Sequence, residues 1–323
     1  MITVQQIKEY LSEHISDPVP KYIMQREIYK KTATSSSYIN TYNQMKKAKW
    51  YCELANEQRD DGSWGRFHTQ DTKAADKKKF VTTEAALRRA RELSLSKDDP
   101  IVARCIKLME RYVRDEETWT DNIEKQRDDG KSHLYSRPFL TASNINLFDT
   151  ENPVVKPKRD VFVKTLRIAL SKGYFDEVAW EEENRNYRGP CLNGWNAYPF
   201  MILQNAECMD DTLQRQYLDY IWNRKDGIYY ISNFPPAQKR CLEDKDFFIW
   251  ISILELLSGF SLFPEFMKDG VLRHLLNEVD RLIHENSRVV PLFNNIRYAE
   301  SWRDKNTRKT DTVLRIARII IKC

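Results

Sequence analysis

The chain is poor in glycine: nine in 323 residues. That is too few for an all-β or loop-dominated fold, which spends glycine on its turns. It has no apolar run near the ~18 residues that a membrane helix needs. The longest run, FFIWISILELLSGF from Phe247, is interrupted by Ser252 and Glu255, so no membrane span is expected. No Cys-X-X-Cys pair occurs, and the six cysteines, at 52, 105, 191, 208, 241 and 323, form no Cys/His cluster along the chain. No structural zinc or other metal site is expected from that spacing. A phosphate-cradling glycine loop is also missing, and no cofactor is implied. The formal charge of +5 is mild for this length, and nucleic acid is not an expected partner without basic clustering on one face. The opening MITVQQIKEYLSEHI has no long apolar core. The expectation is therefore no secretory signal, reduced thiols and a cytoplasmic protein.

What the chain does have is helical periodicity. Over 82–94, TTEAALRRARELS, two threonines offer caps and Glu84 follows early. Ala86, Leu87, Ala90 and Leu93 share one face, and Arg88, Arg89 and Arg91 are expected to face away. Similar segments lie near 3–14, 20–30, 39–57, 98–116, 138–148, 158–173, 194–207, 209–223, 244–259, 263–285 and 309–322. No stretch alternates like a strand between hairpin turns.

The connections alternate in length. Short ones fall at 95–97, 149–157, 208 and 260–262; long ones fall at 58–81, 126–137, 224–243 and 286–308, with a moderate one at 186–193. Helices that run alternately up and down place every second connection at one end. The long loops are thus expected on one face, where long ordered loops are usually functional. Helices following them start near 20, 82, 141, 194, 244 and 309. This reads as six divergent helical hairpins closing into a ring. The expected fold is an all-α, single-domain α/α toroid over 1–323, with NPVVKPKRD at 152–160 as the ring's midpoint rather than a domain boundary.

The first long loop carries a motif. In LANEQRDDGSWGRF, Leu54, Gln58, Gly62 and Trp64 give Leu-X3-Gln-X3-Gly-X-Trp. This resembles the QW repeat of terpenoid cyclases such as squalene cyclase, whose double ring of helices is shared with protein prenyltransferase β-subunits. The resemblance implies a structural role for Gln58, Gly62 and Trp64: the glutamine stacks on the indole and braces the loop. Two weaker copies follow. One keeps Gln126 and Gly130 with Ser132 in the tryptophan place; the other, NRKDGIYY at 223–230, keeps Asp-Gly with Tyr229 there. The families' catalytic strings do not occur. Asp-X-Asp-Asp, Asp-Cys-Thr-Ala-Glu, Asp-Asp-X-X-Asp and the Asp-X-Cys zinc pair are all missing, so no catalytic residue carries over.

Several residue sets remain as candidates, each with a plainer alternative. Asp60, Asp61, Asp128 and Asp129 are acid–base carboxylates or simply members of Asp-Gly turns, the commoner use of that dipeptide. Basic and aromatic residues interleave in WGRFH (64–68), HLYSRPF (133–139), NYRG (186–189) and RYAESWR (297–303). Such sets bind sugars, cations, phosphate or carboxylate, or else pack loops. They nominate Arg66, His68, Tyr135, Arg137, Trp302 and Arg303 for ligand binding, and Trp195 and Tyr198 are named beside them. Glu84, Glu255, Asp311 and His68 are the catalytic candidates, with Glu300 as further carboxylate material. Glu255 shares a narrow stripe with Ser252 and Gly259 that either lines a cavity or reaches solvent at a helix edge. His133 near the second Asp-Asp pair is a looser candidate, and Cys191 a weak nucleophile. The implied ligand is a small apolar, anionic or sugar molecule. Three classes follow: a cyclase-like or prenyltransferase-like ligand-binding protein, a carbohydrate-active glycosidase or lyase on a toroid, and a non-catalytic scaffold for an anionic partner.

Overall fold

The computed structural model describes residues 1–69, 78–119, 131–187, 192–268, 270–285, 289 and 297–323, with backbone only at 131–135 and 187. These residues are all-helical, and no strand occurs among them. A lone bridge joins Asn196 to Tyr229.

Helix α1 (Val4–His14) starts at a reciprocal cap: Thr3 accepts from the Gln6 amide, and the Gln6 side chain accepts from the Thr3 amide. Helix α2 (Pro18–Ile23) runs into a π-helical turn, Met24–Ile28. Next come α3 (Ser36–Met45) and α4 (Lys49–Glu57). The single segment expected over 39–57 is thus two helices, because Ala48 is extended. Helix α5 (Thr83–Glu92) is capped by Thr82, which accepts from the Ala85 amide. Asp99 caps α6 (Pro100–Val113), with Pro100 in the first turn. Helices α7 (Lys131–Asn146), α8 (Val155–Ala169) and α9 (Glu177–Tyr187) follow. The last of these was not expected: EVAWEEENRNY has few apolar residues and shows little periodicity. It gains its structure by packing on α8.

Asn196 caps α10 (Ala197–Leu203), and Asp210 caps α11 (Asp211–Trp222). Helix α12 (Phe247–Leu257) is buried nearly all round, as an apolar helix without a polar face must be. The segment expected over 263–285 is split into α13 (Phe263–Met267) and α14 (Val271–His284) by Gly270, at φ +87°. Asp304 caps α15 (Lys305–Ile320).

The helices that follow long connections make a chain of neighbours. Helix α7 packs on α10, α10 on α12, α12 on α15, and α15 on the π turn that continues α2. Side chains carry the circuit through α5: Asn144 of α7 donates to Glu84 of α5 at 2.8 Å, and Ser94, just past α5, donates to Glu27 of the π turn. Several other helices back onto these. Helix α3 packs on α2, α4 on α5, α6 and α8 on α7, and α1 and α14 on α15.

Burial on two sides changes the reading of α5. Arg89 does not face solvent; it is buried. Its guanidinium lies 4.8 Å from the Trp50 ring and donates to the Arg297 carbonyl at 2.7 Å. Burial lowers its pKa to about 10. Arg91 is half-buried and donates to Gln204, and Arg88 alone of the three is exposed. An amphipathic pattern marks one apolar face, but a helix enclosed by neighbours also buries its polar side when partners are supplied there.

Candidate acid–base site

The turn after α4 sets the site's geometry. Gly62 sits at φ +94°, and a Cβ there would lie 2.7 Å from the Arg104 carbonyl oxygen, so only glycine fits. Gln58 Nε2 donates to the carbonyls of Gly62 (3.0 Å) and Ile101 (2.7 Å), while its Oε1 accepts from Arg104 Nε at 3.0 Å. Buried Trp64 donates from Nε1 to the Leu54 carbonyl at 2.8 Å. The glutamine and the indole therefore both fasten the turn. Asp61 accepts from the Ser63 amide, as a turn carboxylate does, and Asp60 is exposed.

Beyond Trp64 the backbone is tied to the start of α5. The Trp64 amide donates to Thr83 Oγ1, the Thr83 amide to the Arg66 carbonyl and the Glu84 amide to the Phe67 carbonyl. These bonds carry His68 to Glu84, with Nδ1 2.6 Å from Oε2. Tyr198, in the first turn of α10, donates to Glu84 Oε1 at 2.9 Å, and its oxygen lies 3.1 Å from His68 Nδ1. Asn144 adds its amide to Oε1 while also donating to the Leu140 carbonyl. Three of the residues nominated from sequence, Glu84, His68 and Tyr198, thus meet on one carboxylate.

The chemistry of the cluster follows from these bonds. With Nδ1 held against a carboxylate, a neutral His68 keeps its proton there and its basic lone pair at Nε2. Burial, and next the Glu84 charge, push the Tyr198 phenol well above its ordinary range, so it stays protonated and acts as a donor. Arg88 acts on the same phenol in the opposite sense. Helix dipole and carboxylate agree here, since Glu84 stands in the first turn of α5. Exposed Tyr229 and Tyr230 lie in the 224–243 connection with ring centroids 4.2 Å apart. The Tyr229 amide is tied to the Trp195 carbonyl, and the Arg224 guanidinium covers the Trp195 ring at 4.1 Å.

The remaining candidates lie elsewhere or are otherwise engaged. Trp302 is buried and donates to Asp311 at 2.6 Å; Asp311 also accepts from the Tyr298 amide. That pair braces the loop before α15. Arg137 lies 5.8 Å from the Trp119 ring, Arg66 is half-buried and Arg303 is exposed. Glu300 accepts from the Lys49 amide. The side chains of His133 and Tyr135, and all of Gln126, Asp128, Asp129, Gly130 and Cys191, lie outside the described residues. Asn144 was not anticipated. Its signal was available in TASNIN (141–146), a run of uncharged polar residues within a helix, four of which are buried.

Glu255 belongs to a second cluster. Arg315 pairs with Glu92 and, at 3.0 Å, with Glu255; Arg318 pairs with Glu27 at 2.6 Å and with the Tyr298 hydroxyl. Burial raises the Glu255 pKa against the pull of Arg315, whereas Arg315 and Arg318 overcome burial and lower those of Glu92 and Glu27. Glu92 ends the helix that Glu84 begins. Eight residues at 1.5 Å each put the two backbones ~12 Å apart. The enclosed ends of α5, α12 and α15 thus meet in charge, not in apolar surface.

Comparisons of the chain with protein-family models, with curated proteins and with solved structures find no match.

Proposed function

We propose that the helices form an α/α toroid and that Glu84, His68 and Tyr198 at its long-loop face are the acid–base centre of a carbohydrate-active enzyme. The observation that carries the reading is the convergence of a carboxylate, an imidazole and a phenol from three separate segments. The circuit of neighbouring helices from α5 through α15 back to the π turn supports the toroid.

The cluster's make-up favours elimination over hydrolysis. Two-carboxylate glycoside hydrolysis needs a second carboxyl group across the scissile bond, and among the described residues this cluster has one carboxylate. An acidic polysaccharide offers another route. His68 Nε2 removes the proton next to the sugar carboxylate, the C–H electrons become the new double bond, and the C–O bond to the leaving sugar breaks. Tyr198 protonates the departing oxygen. Arg88 supplies the positive charge that a sugar carboxylate calls for, and the exposed Tyr229–Tyr230 pair offers ring faces for stacking.

A cyclase-like function keeps the support of the Gln58–Gly62–Trp64 turn alone. The charged cluster of Glu27, Glu92, Glu255, Arg315 and Arg318 is a poor lining for an isoprenoid chain. The test is a panel of uronate-containing polysaccharides followed by ultraviolet absorbance of the unsaturated product, beside a polyprenyl diphosphate binding assay. Product formation lost in Tyr198→Phe supports the elimination reading. No turnover of any saccharide, with prenyl diphosphate binding that Tyr198→Phe weakens, replaces it with the cyclase-like one.

A further inference from the structure

Read along the chain, the cysteines form no metal-binding pattern. In space one of them does. Cys241, His274 and Glu278 each present a donor atom, and the three atoms lie within 4.8 Å of one another. His274 and Glu278 are four residues apart on α14, hence on one face of it. Cys241 lies in the segment leading to α12, and that segment is pinned to the same two side chains. His274 Nε2 lies 2.8 Å from the Arg240 carbonyl, and the Leu242 amide donates to Glu278 Oε2 at 3.0 Å. The residues on either side of Cys241 are therefore each bound to one of the helical donors. Glu278 is buried, while Cys241 and His274 are half-buried and within reach of solvent.

We propose that Cys241, His274 and Glu278 bind a divalent transition-metal ion of the zinc type, with water completing the coordination. The donor set selects the class. A thiolate with an imidazole suits borderline-soft ions, whereas calcium and magnesium take oxygen alone. Zinc bonds of about 2.0–2.3 Å set tetrahedral donors about 3.5 Å apart, so the three groups close by roughly 1 Å, which side-chain rotation supplies. A bond from an imidazole N–H to a backbone carbonyl is the usual support of a metal-binding histidine. The ring binds through Nδ1 with the Arg240 bond kept, or through Nε2 in exchange for it.

Charge points the same way. The carboxylates of Glu278, Asp244 and Glu243 surround Cys241. Among these carboxylates Arg281 pairs with Glu243 and Glu278. A dication among these three carboxylates and the Arg281 guanidinium meets a net negative field. The bound ion would clip the end of the connection that carries Tyr229 and Tyr230 to α14.

Cobalt(II) is the probe. Full-length protein freed of metal with a chelator is titrated with Co²⁺, and the thiolate-to-cobalt charge-transfer band is followed in the near ultraviolet. The expected result is one equivalent of Co²⁺ with that band in the wild type, the band lost in Cys241→Ser and binding weakened at least tenfold in His274→Ala. Zn²⁺ should displace the cobalt and raise the melting temperature of the wild type but not of Cys241→Ser. No sulfur band in the wild type, or an equal band in Cys241→Ser from another of the cysteines, overturns the proposal. Because Glu278→Gln also weakens the Leu242 pin and risks the fold, the decision rests on Cys241→Ser, which leaves both pins in place.

Discussion

Tyr198 and Glu84 stand 114 residues apart, each in the first turn of its helix, and the phenol donates to the carboxylate at 2.9 Å. The bond joins two helices that follow different connections, so it serves both as a tie and as a chemical arrangement. Its two roles separate in Tyr198→Phe. Losing the hydroxyl should cost about 1 kcal/mol of stability. If the phenol is the acid, turnover should fall about 10²–10⁴-fold. Urea unfolding and the unsaturated-product assay, run on the same preparations, check the two numbers. A stability loss with full turnover would leave Tyr198 as a brace only.

The turn ahead of the site makes a prediction about stability. Trp64 is fully buried and its indole N–H is spent on the Leu54 carbonyl. Trp64→Ala should destabilise by about 3–5 kcal/mol, as large aromatic truncations in cores do. It should also disturb the Trp64–Thr83 and Arg66–Thr83 ties that carry His68 to Glu84. A melting temperature equal to wild type would mean that the turn holds without its indole.

The two halves of that turn were unequally legible. Gly62 and Trp64 stood out in sequence because a tight turn and a large aromatic in a polar run are both local signals. The distant partners of Gln58 did not, since they are the Ile101 carbonyl and the Arg104 side chain on α6. Helices with one apolar face were readable from periodicity. Helix α9 was not, because it is too polar to show a face; α5 was readable as a helix, but it buries Arg89, which periodicity assigns to solvent. Glu84, His68 and Tyr198 were each nameable as residue types in a connection or in the first turn after one. Their meeting depends on packing between helices, which no spacing encodes. Asn144 and the Cys241–His274–Glu278 group became visible only once the chain was folded.

Arg315 tests what holds the enclosed helix ends together. It sits between Glu92 and Glu255 with almost no exposure. Arg315→Met alone leaves two carboxylates partly buried and short of a partner, and should cost about 3–5 kcal/mol. Adding Glu92→Leu and Glu255→Leu should restore much of that loss, because apolar groups of similar volume replace a buried ion cluster at little cost. Chemical denaturation of the single and triple variants gives the comparison. A triple variant no more stable than the single one would show that Arg318 and Glu27 depend on the rest of the network.

Asp311 gives the pH prediction, and its sign differs from that of the paired carboxylates. Burial raises its pKa to about 6, against the opposing hydrogen bonds from Trp302 and the Tyr298 amide, while an unfolded aspartate titrates near 3.9. The folded state therefore holds this proton more tightly than the unfolded state. Its contribution to stability is fully present below pH ~4 and is lost as pH rises through about 6. A difference of about 2 pKa units is worth ~3 kcal/mol. Asp311→Asn keeps an oxygen for both donors and removes the titration. Relative to that variant, the wild type should lose ~3 kcal/mol between pH 4 and pH 7. Glu27 and Glu92, held down by Arg318 and Arg315, act in the opposite direction at lower pH in both proteins and cancel in the comparison. Urea unfolding of the pair at several pH values measures the difference directly. A flat difference would mean that Asp311 stays ionised inside the fold, with the Trp302 and Tyr298 donors outweighing its burial.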